Sequence, residues 1–206
     1  VFGYDPRKYH TGRAPLEAAA QGIALDNDAV AFRCNTVTVE DGVLADYSAG
    51  HIESADSAEL IKSANERLGK HGMRFYPGVS YRHLALIQGQ EFAKTQCTPP
   101  HDISGKPIDA FLPQGPGSEL LQEVMDASVS LLRSHPVNKR RRDEGKRPAT
   151  MFWFWGQGTA AKFPPFRRQY GLKGACISAV DIVRGLGRLV GFDIIPVPGI
   201  TGYFDT

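Results

Sequence analysis

The 206 residues carry 24 Lys and Arg against 22 Asp and Glu, a formal net charge of +2, which gives no ground for a nucleic-acid or membrane-surface partner. Hydrophobic content of 42% and charged content of 22% describe an ordinary globular chain, long enough to bury a core as one large domain or two small ones. Cys34, Cys97 and Cys176 are far apart and form no Cys-x-x-Cys pair, which excludes a structural zinc site of that type and fits a reduced, cytoplasmic setting. No apolar run approaches the roughly 20 residues that a membrane helix needs.

Residues 4–13 are polar and turn-rich. Pro15 followed by Leu16-Glu17-Ala18-Ala19-Ala20 predicts a short helix closed by Gly22. The stretch Ala29–Ile52 organises the chain: two apolar runs flank Asp41-Gly42, a pair that tolerates the positive φ of a tight turn, so a hairpin is expected. Alternation puts Arg33 and Asn35 on one strand face, Phe32 and Cys34 on the other. The apolar parity then moves to Val37 and Val39, which implies either a bulge near Arg33-Cys34-Asn35 or cover on both faces. Arg33 and Asn35 together offer a planar fork and an amide to an anion. The structural alternative pairs Arg33 with a carboxylate such as Asp46 across the hairpin.

Asp56 and Glu59 read as a capping box before a helix with Leu60, Ile61, Ala64 and Leu68 on one face. Met73–Pro77 and Ser80–Ile87 read as strands joined through Pro77-Gly78, with Arg82 on the face of Leu84 and His83 on that of Ala85. Residues 98–117 read as a long loop of the kind that often has a function. Ser118 is expected to cap a helix striped by Leu121, Val124, Met125, Ser128, Leu131 and Leu132. The charged run Lys139–Arg147 reads as a solvated face. Composition changes near Pro148: a strand over Thr150–Trp155, the segment Lys173–Ser178, a helix over about Val180–Leu189 and the segment Phe192–Ile195. That order predicts a parallel strand–helix–strand unit buried on both faces, with a domain boundary near residue 150.

There is no phosphate-binding Gly-x-x-x-x-Gly-Lys-Ser/Thr loop, no His-Glu-x-x-His and no Gly-x-Ser-x-Gly. Gly185-x-Gly187 lies inside a helix and is too weak for a dinucleotide site. The histidines, His10, His51, His71, His83, His101 and His135, stand singly without metal-ligand spacing. What remains is a set of donors near turns and strand ends: Arg13, Arg33 with Asn35, Arg82 with His83, His101 with Asp102, and His135 with Asn138. Such a set suits a small phosphorylated or carboxylated metabolite, although spacing alone does not make the residues converge.

Ordered motifs run through nearly the whole chain: Gly3-Tyr4-Asp5-Pro6-Arg7-Lys8-Tyr9, Phe32-Arg33-Cys34-Asn35, Asp46–Ile52, Ser80-Tyr81-Arg82-His83-Leu84, Pro99–Ile103, His135–Asn138, Trp155-Gly156-Gln157-Gly158, Ile177–Asp181 and Gly199–Thr206. On these the chain resembles the archaeal-type cofactor-independent phosphoglycerate mutases of the alkaline phosphatase superfamily. The resemblance implies a glycolytic and gluconeogenic enzyme that interconverts 3-phosphoglycerate and 2-phosphoglycerate through a phosphoserine, without 2,3-bisphosphoglycerate. It implies an α/β fold: an inserted α/β domain with a mixed sheet flanked by helices, followed by a partial parallel α/β phosphatase-type unit. By this analogy residues 1–12 end an upstream phosphatase segment, 13–149 form the inserted substrate-holding domain, and 150–206 begin the returning phosphatase part.

The same resemblance implies a divalent metal (Mn or Mg, or else Zn) whose ligands, with the nucleophilic serine, belong to phosphatase segments outside these residues. Hence the chain is expected to be a fragment, inactive alone. The substrate-binding roles fall on Arg33 and Arg82 as clamps, Asn35 as a directional donor, Asp46 as an orienting carboxylate, His83 and His135 as secondary donors, and Arg184 toward the phosphoryl group. His51 stands where some relatives carry Arg, which makes affinity depend on histidine protonation if that side chain touches phosphate. A phosphatase or other phosphotransferase on the same scaffold, and a non-catalytic regulatory or interaction module, are the alternative readings.

Overall fold

A computed structural model describes residues 2–69 and 72–200; His71 and the Thr201–Thr206 part of the last motif lie outside the described residues. A short helix α1 (Pro6–Tyr9) leads into α2 (Arg13–Ala20), and the long strand β1 (Ala29–Glu40) turns through Asp41-Gly42 into β2 (Val43–Asp46). Asp41 and Gly42 take φ of 48° and 74°, the left-handed pair that the hairpin reading requires. Then come α3 (Ser54–Arg67), β3 (Arg74–Tyr76), β4 (Arg82–Gln88), α4 (Ser118–Arg133), α5 (Pro136–Asp143) and β5 (Met151–Thr159). The chain closes with α6 (Phe166–Tyr170), β6 (Ala175–Cys176), α7 (Asp181–Leu189) and β7 (Asp193–Ile194).

β1 is the axis of a five-stranded sheet: it pairs with β4, β5 and β2, and β3 adds to the far edge of β4. Both answers to the parity question hold. The register shifts opposite β2 at Thr38/Val39 and opposite β5 between Ala31 and Arg33, and both faces are covered. Val30, Phe32 and Cys34 face the main core with Leu60, Ile61, Leu121 and Phe152, while Ala31 and Leu84 pack on Ala14 and Ala18 of α2. Every pairing in this sheet is antiparallel, and parallel pairing is confined to β6 with β7. The α/β mixture therefore lies between two sheets.

The strand after Pro148 does not open the parallel unit. β5 pairs antiparallel with β1 from Val30↔Thr159 to Val37↔Met151, so a division at residues 149 and 150 would cut through the sheet. An unalternating apolar strand shows that both faces are covered; it does not show the direction of its neighbour. The strand–helix–strand unit is β6–α7–β7 alone.

Three local expectations also change. α3 starts at Ser54 after Glu53, so Asp56 is a first-turn acid that receives Arg140 and Arg141 instead of a capping-box residue. α4 is preceded by Gly117 at φ 76°, and Ser118 is its first residue. The charged run is not wholly solvated: Arg141 is 2% exposed, and its guanidinium donates to the carbonyls of Ala49 and Arg147. Residues 98–117 are stitched down by short 3-10 turns at Pro100–Asp102 and Asp109–Phe111.

α7 docks on α2 at the glycine pair. A Cβ on Gly185 would lie 1.8 Å from the Leu16 carbonyl oxygen, so the two backbones touch there and no side chain fits. This contact, with that of α2 on β1 and β5, makes α2 the wall between the sheet and the β6–α7–β7 unit.

Candidate functional site: an arginine-lined cleft

A cleft of about 510 Å³ lies where α2, the middle of β1, the start of β4 and the start of α7 meet. Its lining includes Arg13 and Glu17 from α2, Arg33 from β1, Arg82 from β4, and Asp181 and Arg184 from α7. A smaller recess of about 260 Å³ shares Arg13, Arg33 and Arg82, and adds Asn35, Tyr47, Tyr81, His101 and Trp155. Antiparallel register explains the convergence. Asn35 sits opposite Arg82 and Arg33 opposite Leu84, so Arg33, Asn35 and Arg82 share the face that α2 covers in part.

The arginines are held by a carboxylate and by aromatic faces. Arg33 is 2% exposed; its Nη1 donates to Glu17 Oε1 at 2.5 Å, and the same oxygen accepts from Arg13 Nε at 2.9 Å. The carboxylate foreseen for Arg33 was Asp46, and the one found is Glu17. Arg33 and Arg13 lie 4.7 and 5.1 Å from the Trp155 ring centroid, within cation–π range, and Arg82 lies 5.7 Å from that of Tyr81. Trp155 Nε1 donates to Asn35 Oδ1 at 3.0 Å, and Asn35 Nδ2 donates to the Tyr47 carbonyl at 3.3 Å. Burial, opposed by Glu17, lowers the Arg33 pKa to about 10, so the side chain stays cationic at neutral pH. Arg33 Nε is buried and has no partner among the described residues. Arg184 is paired with Asp181 at 2.8 Å, and Arg82 has no carboxylate partner among the described residues.

Of the residues expected at a site, Arg33, Asn35, Arg82 and Arg184 are brought together. Asp46, His83 and His135 are not. Asp46 accepts from the N–H groups of Ser48 and Gly50 and from Ser48 Oγ, and so fastens the turn in which Ala49, Gly50 and His51 all have positive φ. Its contact with Arg147 is long, at 3.5 Å. His83 is 1% exposed, its Nδ1 accepting from the Gly78 N–H at 3.1 Å; burial lowers its pKa to about 3. His135 caps α5 through Nδ1 and the Val137 N–H, with Nε2 2.9 Å from Ser63 Oγ. His51 is exposed and lines neither cavity.

The sequence reading counted Arg13 and His101 among scattered donors without a role and passed over Glu17, Tyr47, Tyr81 and Trp155. One signal was available: Arg13 and Glu17 stand four apart at the start of a helix, which puts them side by side. Trp155 gave none, because an aromatic in an apolar strand reads as core.

A family model for 2,3-bisphosphoglycerate-independent phosphoglycerate mutase matches residues 1–138. The enzyme of that name from Methanosarcina mazei is 52% identical over 206 residues, covering 100% of this chain and 52% of the relative. Its namesake from Thermococcus kodakarensis is 34% identical over 213 residues with the same coverage. Among solved structures, a cofactor-independent phosphoglycerate mutase from Thermoplasma acidophilum aligns with a TM-score of 0.66 at 28% identity, over 96% of this chain and 55% of that one. A Pyrococcus horikoshii protein aligns at 0.75 and 27% identity, over 100% and 48%. The chain spans about half the length of the curated relatives it matches.

Proposed function

The chain belongs to the 2,3-bisphosphoglycerate-independent phosphoglycerate mutase family, and on that premise we propose that its arginine cleft holds 3-phosphoglycerate and 2-phosphoglycerate while a family-length protein interconverts them. One observation carries this reading. Arg13, Arg33, Arg82 and Arg184 come from four separate elements into one cleft whose carboxylates, among the described residues, are Glu17 and Asp181, an excess of two positive charges. A phosphate monoester of about −1.5 to −2 charge balances that excess, a carboxylate on the same molecule adds about one further negative charge, and guanidinium forks grip both groups bidentately.

The interconversion moves a phosphoryl group between adjacent hydroxyls by way of an enzyme serine. The intermediate glycerate must be retained and turned while the phosphoryl group is elsewhere. Here the arginines grip the carboxylate and the phosphate. The smaller recess, with the Asn35 amide, the Tyr47 and Tyr81 hydroxyls and His101, supplies further hydrogen-bonding groups for glycerate hydroxyls. Among the described residues, no group of three or more His, Cys, Asp or Glu is placed to hold a metal ion. No step is therefore assigned to a metal on these residues; the divalent ion that the family resemblance implies, and the serine, belong in this reading to other segments of the family-length protein.

The test is calorimetric titration of the chain with 3-phosphoglycerate. Binding is expected, with Arg82→Met weakening it at least about tenfold, the loss of one charge-assisted contact of roughly 1.5–3 kcal/mol. Because Arg82 is exposed, its removal should leave the urea midpoint near that of the parent chain. Equal affinity in the parent and Arg82→Met would refute the assignment.

A further inference from the structure

Glu17 is an unusual neighbour for an anion. The residue is 6% exposed, lines the same cleft as the four arginines, and through Oε1 takes one N–H from Arg33 and one from Arg13. A site built only for attraction would have left both guanidiniums free. The bond geometry shows what Glu17 leaves open. It contacts Arg33 at Nη1 alone, so the opposite edge of the guanidinium, with Nε, is not engaged by it. That Nε is buried, with almost no surface of its own and no partner among the described residues, so the Arg33 charge is answered by Glu17 alone among the carboxylates of the cleft. Trp155 stacks at 4.7 Å over the same guanidinium and fixes its plane.

We propose that Glu17 is the specificity-determining residue of the cleft, a resident counter-ion that holds Arg33 and Arg13 and cancels part of their charge, so that a ligand is gripped first by Arg82, which has no carboxylate partner among the described residues. This rests on the phosphoglycerate reading above. A lone small oxyanion meets the Glu17 carboxylate as a like charge and gains one arginine edge, which is a poor exchange. An acid with anionic groups at two ends reaches Arg82 with one and Arg13 or Arg184 with the other, and the repulsion from Glu17 is spread over a longer molecule. The residue thus selects extended dianionic acids against inorganic phosphate. It acts through Arg33 and Arg13, not on the reacting atoms.

The experiment measures affinities of 3-phosphoglycerate and of inorganic phosphate for the chain, for Glu17→Gln and for Glu17→Asp. Gln is isosteric and still accepts one arginine N–H; Asp keeps the charge one methylene short. The parent should prefer 3-phosphoglycerate at least tenfold. In Glu17→Gln phosphate should bind about tenfold tighter while 3-phosphoglycerate changes less than threefold, so the preference collapses; in Glu17→Asp it should stay within threefold of the parent. A preference unchanged in Glu17→Gln, whether both affinities fall together or neither moves, overturns the counter-ion role and leaves the phosphoglycerate reading standing. The converse, a parent that does not bind 3-phosphoglycerate but a Glu17→Gln variant that gains phosphate, overturns that reading and leaves Glu17 only as a like charge that excludes phosphate. If Glu17→Gln does not fold, a Glu17→Asp preference shifted more than threefold overturns the role. If no form binds either anion, both ideas fail.

Discussion

Gly185→Ala is the sharpest perturbation of this structure, because two opposing effects have different sizes. In a helix interior, alanine is favoured over glycine by about 1 kcal/mol, so propensity alone predicts a gain. The new methyl would lie 1.8 Å from the Leu16 carbonyl oxygen, 2.8 Å from its carbon and 3.3 Å from the Ala20 nitrogen. All of these are backbone atoms of α2 and no rotamer relieves them, so the helices must separate by more than an ångström. Overpacking of this kind costs about 1–3 kcal/mol in ordinary cores, and a backbone clash belongs at the upper end. We expect Gly185→Ala to lose about 1–2 kcal/mol net in urea unfolding followed by circular dichroism, and to bind 3-phosphoglycerate more weakly because Arg184 rides on α7. Gly187→Ala is the internal control. Its methyl would meet Ile194 Cδ1 at 3.0 Å, a side-chain end that can turn away, and Cys176 Cβ at 3.0 Å, which a shift of a few tenths of an ångström relieves, so its cost should be largely offset by the propensity gain. If Gly185→Ala is as stable as the parent, or Gly187→Ala is the worse of the two, the account of α2–α7 docking is wrong.

Asn138→Ala should cost about 3 kcal/mol by urea titration: the buried amide donates to the carbonyls of Leu132 and Ala149 and accepts from the Ala149 N–H, and alanine strands all three; a loss under 1 kcal/mol would contradict this. The folded His83 pKa of about 3 lies below its ordinary 6.5, so the unfolded chain takes up a proton that the native state refuses, and stability present above pH 6.5 drains away as pH falls. From pH 7 to pH 5 this amounts to about 2 kcal/mol. Asn can reproduce the acceptor to Gly78 without titrating, so His83→Asn should lose that much less than the parent over the same interval. His135, also lowered by burial, adds a dependence of the same sign to both proteins, while the lowered carboxylates of Asp26, Asp46 and Glu144 act at more acid pH. Parallel pH curves would rule His83 out as the source.

What could be read from the sequence was what alternation and turn chemistry control locally. The hairpin at Asp41-Gly42 and the shared face of Arg33 and Asn35 follow from period-two geometry and from the φ that those turn residues allow. The convergence of Arg33 with Arg82 needed the register Asn35↔Arg82, a non-local pairing that no spacing encodes. Asp46 and His135, expected as ligand donors, lie outside the cleft for a related reason: each accepts from backbone two to four residues ahead. An Asp two residues before Ser48, and a His directly before Pro136, were cues to that use. Arg141 was lost in a charged run because its partner is the carbonyl of Ala49, exposed by a left-handed turn some ninety residues earlier.

The position of β5 has a consequence for how the polypeptide matures. β1 receives that partner only after more than a hundred further residues have been made, on the order of ten seconds of synthesis at about 5–20 residues per second. During that wait a twelve-residue, largely apolar strand has one flank of N–H and C=O groups unpaired, a template for joining any similar strand nearby. Shortening the chain at residue 149 would make that temporary exposure permanent, and insoluble product rather than a tidy domain is what such a cut should yield.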